Sequence, residues 1–460
     1  MRTSTILVAA AALGAAQPLA AQSPQDDPAQ HEHEHEHARA PGQAQGHAQE
    51  EDVSAGGHGH HAGMMARPLG IPDTRDGSGT SWQPDATPMH AFHASLAGWM
   101  LMLHGNLFAG FDAQSSDRGD EKVFSPSWIM AMARRPVLSA DVTLRAMLSL
   151  DAVTMGERGY PLLLQSGEAV DGEPLADRQH PHDLFMELAG STMVPLGSSV
   201  AIELYGGPAG EPALGPVAFP HRRSASADPL AVLAHHWQDS THISFGVLTA
   251  GLVTRLAKLE ASWFNGREPD QERYDLDLHA LDSYSVRLCV SPDESWSGQV
   301  SYGRLDEPEE LEPGVSVQRI TASVMHVARP RWAEAVSTTA VWGHNIPSEG
   351  EATDGALIES TAEMGAPGTV FGRAELVVKA GHDLALAPEM AEDTFTVGSL
   401  VLGFLHDFGA VGGLVPGIGV RGSANLIGDD LAAVYGTHVP VGAMVFVRVE
   451  PAAMEHGMVH

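Results

Sequence analysis

The side chains of this chain best suited to chemistry are histidines, and they lie in three groups. In the first, His31-Glu32-His33-Glu34-His35-Glu36-His37 alternates imidazole with carboxylate; His47, His58, His60 and His61 follow, with Met64 and Met65 just behind. Neutral imidazoles are good ligands for Zn²⁺, Cu²⁺ and Ni²⁺, interleaved carboxylates add charge and outer-shell acceptors, and flexible Gly-rich spacing lets several ligands reach one ion. The thioethers of Met64 and Met65 favour Cu(I). The composition points to capture of transition-metal ions of the copper or zinc kind, held as bound ions and not as a catalytic cofactor. The alternative is a solvated spacer whose histidines meet ions incidentally. A flexible ligand set selects metals poorly, so no single ion is specified.

The second group is Asp177-Arg178-Gln179-His180-Pro181-His182-Asp183, where an extended His-x-His puts two imidazoles on one side with Asp183 adjacent. The third is His235-His236-Trp237-Gln238-Asp239-Ser240-Thr241-His242, downstream of Asp228-Pro229, which reads as an N-cap and first helical position. A helix continuing from there sets Asp239 and His242 one turn beyond His235. The candidate metal ligands of the body are therefore His180, His182, Asp183, His235, His236, Asp239 and His242. Loop histidines bonded to one another and to water are the alternative. Catalysis has little support, since no Gly-x-Ser-x-Gly elbow, phosphate-binding loop or His-Glu-x-x-His helix is present.

What positions these residues follows from the rest of the chain. Met1-Arg2, the apolar stretch Ile6 to Ala16 and the small residues of Pro18-Leu19-Ala20-Ala21 form a Sec signal peptide over 1–21. Residues 22–88 are Gln, Ala, Pro, Gly, Asp, Glu and His with almost no aromatic or branched side chains, a composition expected to stay disordered. Across 89–460 the signal is period-two alternation. Ala140, Val142, Leu144, Ala146, Leu148 and Leu150 face one way; Asp141, Thr143, Arg145, Ser149 and Asp151 face the other, with Met147 the exception on the polar side. Ser283 to Val290, Ser295 to Tyr302, Gly372 to Ala380, Leu252 to Trp263 and Val441 to Val449 repeat the pattern. Opposite charges on one face imply a wet lumen.

Strands of this length exceed those of soluble sandwiches and match the roughly nine to eleven residues of a tilted membrane strand. Aromatics near strand ends, Trp99, Trp128, Trp263, Phe264, Trp296, Trp332 and Trp342, are expected to form an interfacial girdle. Candidate strands begin near Phe92, Asn106, Ser127, Ser139, His182, Ser198, Thr241, Leu252, Ser283, Ser295, Ser316, Arg331, Leu357, Thr369, Thr394 and Val441, with more pairing at Val415 to Asn425. The fold class is all-β, an outer-membrane antiparallel β-barrel of about 14–18 strands behind a disordered N-terminal tail. The stretch 206–240 is too long for a hairpin and is expected to enter the lumen as a constriction or plug. Asn265-Gly266 is a hairpin signal. The lone Cys289 forms no internal disulfide and reads as packing. A net charge of −32 argues against nucleic acid and is compatible with cations.

At Arg178 to Phe185, His235 to Phe245 and Phe264 to Asp275 the chain resembles a group of bacterial outer-membrane barrel proteins without an assigned function, over about Trp128 to Val449. More loosely, it resembles the copper-resistance B family, which joins a Met/His-rich N-terminal region to an outer-membrane barrel; here the tail is His/Glu-rich. These resemblances imply fold and location. The expected function is an outer-membrane barrel that binds or passes transition-metal ions. Its expected partners are those ions, outer-membrane lipid and a periplasmic metal carrier or efflux component, with the tail on the periplasmic side. Alternatives are a structural or general-diffusion porin-like barrel with a metal-buffering tail, and a barrel enzyme acting on lipid or cell-wall material.

Overall fold

The computed structural model describes residues 67–365 and 368–453. The alternating segments become strands β1 (Trp99–Ser115), β2 (Ser127–Val137), β3 (Ala140–Ser149), β4 (Phe185–Pro195), β5 (Ala201–Gly210) and β6 (Ser244–Val253). They continue as β7 (Ala257–Phe264), β8 (Ser283–Val290), β9 (Trp296–Asp306), β10 (Ser316–Ala328), β11 (Ala335–Pro347) and β12 (Thr353–Glu363). The last are β13 (Thr369–Ala380), β14 (Thr394–Asp407), β15 (Leu414–Leu426) and β16 (Val441–Pro451). Each pairs antiparallel with its neighbour, and β1 closes the ring: Met100–Leu107 runs against β2, and Leu107–Ser115 against β16. The result is a closed barrel of 16 strands, with Phe92–Leu96 and Glu121–Phe124 as short additions to β1.

Because successive side chains alternate across a strand, each strand sorts its residues between the two faces. Outside lie Leu204, Leu248, Leu259, Leu288, Ile358, Leu400 and Val445, all exposed. Inside lie Glu203, Lys258, Glu260, Arg287, Arg319, Glu359 and Arg373, all buried. This apolar-out, polar-in order inverts that of a water-soluble barrel. The two rims also differ. One carries turns such as 138–139, 254–256 and 291–295; the other carries the long connections 150–184, 211–243 and 265–282.

Three segments fill the interior. Residues 67–88 lie there, tied to the wall by Arg287 Nη2 donating to Thr80 Oγ1 at 3.0 Å and by Lys258 to the Thr80 carbonyl. The boundary expected at 88 is thus corrected, since Ser78, Ser81 and Trp82 are buried. Their polar groups meet fixed partners on the wall, which offsets the ordering entropy that composition alone leaves uncompensated. The second segment is 150–184. The third is 211–243, which begins after β5 ends at Gly210 and not at 206.

The charges on the inner wall serve as anchors for these segments. Arg222, fully buried, contacts Asp239 and Glu359 at 2.8 Å each; Asp228 contacts Arg421 at 2.9 Å; Arg223 contacts Glu363 at 2.8 Å. Where a wet lumen is expected from opposite charges on one face, these charges are buried and paired with the chain's own interior segments. The facing wall glycines Gly343 and Gly355 form a notch for the short helix α1 (His235–Gln238). A Cβ at Gly343 would stand 2.0 Å from the Trp237 carbonyl oxygen.

Several local expectations change. Leu252 to Trp263 is two strands, because 254–256 makes a turn with Thr254 Oγ1 bonded to the Ala257 carbonyl. Asn265-Gly266 opens the long connection 265–282 in place of a tight hairpin. Asp228 caps only Leu230, and helix appears later, at His235. Asn106 lies mid-strand, and β15 is a full strand. Of the girdle set, Trp263, Trp296 and Trp332 are exposed, whereas Phe264 is buried and Trp128 lines an inner cavity. Cys289 is free and buried.

Candidate functional site

The interior segments bring the second and third histidine groups together. His180 and His182 leave the extended stretch before β4, and His235, His236 and His242 come from α1 and the turn after it. Ring centroids are 5.1 Å apart for His235 and His242, 5.3 Å for His182 and His242, and 5.3 Å for His235 and His236. His180 lies 6.1 Å from His235, 6.2 Å from His236 and 6.3 Å from His182. Gly167, at φ +118°, allows the approach, because a Cβ there would lie 2.5 Å from the His236 ring.

Each imidazole is held by its Nδ1. That of His182 donates to Asp151 at 2.8 Å, that of His235 to Asp239 at 2.8 Å, and that of His180 contacts Glu168 at 2.8 Å. His242 Nδ1 donates to the Asp239 carbonyl at 2.8 Å, and His236 Nδ1 meets Glu268 at 3.1 Å. The Nε2 atoms of His180, His182 and His242 are buried without a hydrogen-bond partner. Outer-shell carboxylates that fix one ring nitrogen and leave the other free are the arrangement metal-binding histidines use.

For His180, His235 and His242 burial disfavours the protonated ring and so favours the neutral state a ligand needs. Burial pushes His235 down to about 4, against the opposing pull of Asp239, and lowers His180 and holds His242 well below the ordinary imidazole value. Burial alone would raise Glu168, but Arg273 and His180 overturn that and hold it at about 2. Asp239 is driven below the usual carboxylate range against its own burial, by Arg222 and His235.

A second grouping adjoins the first. One ligand atom each from His236, Glu268 and Glu309 lie within 4.8 Å of one another. Burial and then the charge of Glu268 hold Glu309 well above the ordinary carboxylate value. A cation between the two carboxylates would relieve that repulsion. Beside it a cavity of about 350 Å³ is lined by Glu168, Asp270, Asp277, Glu307 and Glu310, an acidic vestibule on the long-loop rim.

The candidates thus divide. His180, His182, His235, His236 and His242 converge. Asp239 joins them as the orienting partner of His235, not at a ligand position. Asp183 turns away to Arg273 at 3.4 Å, with burial raising it to about 7, so its expected place beside the imidazoles is corrected. His31, His33, His35, His37, His47, His58, His60 and His61 lie outside the described residues. Sequence reasoning missed Asp151, Glu168, Glu268 and Glu309; Asp151 was visible as the polar end of the clearest strand, the others had no spacing signal.

By sequence, the chain matches no family description and no curated protein. In fold it is similar to an anion-selective porin from Comamonas acidovorans, at 10% identity and TM-score 0.48 over 76% of this chain and 99% of that one. It is similar to OmpF of Salmonella typhi in complex with daunomycin, at 8% identity and TM-score 0.48 over 78% and 100%. A third is OmpT of Vibrio cholerae, at 6% identity and TM-score 0.44 over 78% and 100%. The copper-resistance likeness finds no support among them. The class defined here is a closed, porin-like antiparallel β-barrel whose lumen is occupied by its own chain, an assignment that rests on the strand pairings.

Proposed function

We propose that this is an outer-membrane barrel that provides a path for small ions, and that the ions it handles are transition metals. The exposed apolar belt supports placement in a bilayer, and the strand number belongs to the range in which barrels enclose aqueous channels. Short turns face the periplasm in such barrels and long loops the outside, so the acidic vestibule opens outward.

The single observation that carries the metal reading is the convergence of five imidazoles, His235, His236 and His242 buried and His180 and His182 partly so, each fixed through Nδ1, three of them with an unpartnered Nε2. A cation gathered by the vestibule meets His236, Glu268 and Glu309, then His235 at 5.3 Å, from which His180 lies at 6.1 Å and His242 at 5.1 Å, with His182 5.3 Å beyond His242. Borderline ions such as Zn²⁺ or Cu²⁺ suit this imidazole and carboxylate set. A periplasmic metal carrier or efflux component is the partner such a path requires, and the tail would hold ions beside it. The second reading is a general-diffusion pore whose tail buffers metal, favoured by the strand number itself.

Flux through the full-length protein in liposomes separates the two. Zn²⁺ passage that falls when His180, His182, His235, His236 and His242 become alanine, while small sugars pass slowly in both proteins, supports the metal path. Sugar passage at porin rates, indifferent to those substitutions, supports general diffusion and overturns it.

A further inference from the structure

The methionine out of place in the otherwise polar face of β3 has partners. Met147 sits across from Met130 on β2, Met130 across from His104 on β1, and Met132 across from Met102, all on inward-facing positions. Met130 and Met147 are buried, at 2% and 3% exposure. From the third interior segment His221 reaches this wall, its Nε2 3.2 Å from the Met147 sulfur and its ring 5.7 Å from that of His104. His104 Nε2 is buried with no hydrogen-bond partner. Trp128 packs against both imidazoles, 4.7 Å from His221 and 5.3 Å from His104. His104, His221, Met102, Met130, Met132 and Trp128 share a cavity of about 150 Å³.

Gap filling accounts for a single buried methionine. It does not account for four thioethers gathered where the other inward positions of β3 are Asp141, Thr143, Arg145 and Ser149, nor for two imidazoles brought to them, although Met130 and Met147 also pack with Met186, Ile243 and Phe245. The cations that line the cavity are already engaged, Arg134 by Asp73 and Asp141 and Arg223 by Glu363 and Glu450, as is Arg145 nearby by Asp76 and Glu187. Thioether and neutral imidazole are soft ligands without charge, a set that favours a monovalent soft ion over a divalent one.

We infer that Met102, Met130, Met132, Met147, His104 and His221 form a binding site for a soft monovalent metal ion, Cu(I) or Ag(I), on the lumen wall formed by β1, β2 and β3. The inference deepens the metal reading by naming an ion class, and rests on that reading only for the direction of travel; binding here is independent of the five-histidine cluster. A small cavity, lined by Met147, His221 and His242, lies between the two groupings.

The test uses the full-length protein in detergent with Met64 and Met65 already changed to Leu, so that tail sulfur does not contribute. Ag(I) is titrated against a competing chelator, and the silver-edge X-ray absorption spectrum is read for sulfur neighbours. Adding M102L, M130L, M132L and M147L, which conserve volume, is expected to weaken Ag(I) about tenfold or more and remove the sulfur signal, while Zn²⁺ affinity stays unchanged. Equal Ag(I) affinity in the two proteins, or a silver spectrum without sulfur neighbours before the wall is altered, would overturn the site. Loss of Zn²⁺ binding in the five-histidine variant with Ag(I) binding retained leaves this site standing on its own; the reverse pattern overturns it alone.

Discussion

The histidines on the two faces of this barrel are used in opposite ways. Outside, His326 stacks on Trp296 at 4.1 Å, His344 on Trp342 at 5.8 Å, and His406 meets the edge of Phe408 at 5.1 Å. These three are companions of aromatic rings near strand ends, the place of an interfacial belt. Inside, the five clustered rings touch one another and are oriented by carboxylates and a carbonyl. Residue type is the same on both faces, and His344 too has a carboxylate, Asp354, on its Nδ1 at 3.0 Å; what sets the inner rings apart is their contact with one another and the buried, unpartnered Nε2 of His180, His182 and His242. A histidine becomes a candidate ligand through its neighbours, not through its presence in a histidine-rich chain.

The largest effect that probes this contrast is on the interior scaffold. Replacing Arg222 by Met strands Asp239 and Glu359 in a buried place and is expected to cost about 3–5 kcal/mol, read as a fall in thermal stability in detergent together with lost Zn²⁺ binding. Arg304→Met breaks the exposed pair with Asp306 and should change stability by less than about 1 kcal/mol. Equal effects would erase the distinction between the faces.

Acid should act on the inside as well. His235 sits at about 4 in the fold, below the ordinary imidazole value, so between the two the unfolded chain binds more protons. The stabilisation by the neutral ring is complete above about 6.5 and is lost as pH falls toward 4. Stability measured across that range is expected to drop on acidification, and to drop less with Zn²⁺ present. A flat profile would contradict the assignment of neutral rings to the cluster.

Smaller is the effect of the orienting carboxylate. Asp151→Asn keeps the shape but not the charge beneath His182, and should weaken Zn²⁺ about 10–100-fold by titration. Smallest is the outer counterpart: His326→Ala removes the stack on Trp296, worth about 0.5–1.5 kcal/mol, and should leave Zn²⁺ affinity unaltered.

The barrel was legible because alternation is a local signal: Ala140 to Ser149 declares its two faces residue by residue. Met147 broke that pattern, and its reason lay across the wall in Met130 and His221, which no local pattern reveals. The histidine groups were legible as groups. Their meeting was not, since it depends on the loops before β4 and β6 entering the same lumen. Glu168, Glu268 and Glu309 reach the site from separate connections, so no spacing ties them to it. The interior path of 67–88 was missed because its stability comes from charges on β7 and β8, far along the chain, and not from its own composition.

Metal-edge anomalous diffraction from crystals of the full-length protein grown with Zn²⁺ tests the central claim most directly. The account predicts a peak in the lumen within bonding reach of Nε2 atoms of the His180, His182, His235, His236 and His242 cluster, absent when those residues are alanine and present when His326, His344 and His406 are. Zinc confined to outer-face histidines, or a lumen without a peak at saturating zinc, would contradict it.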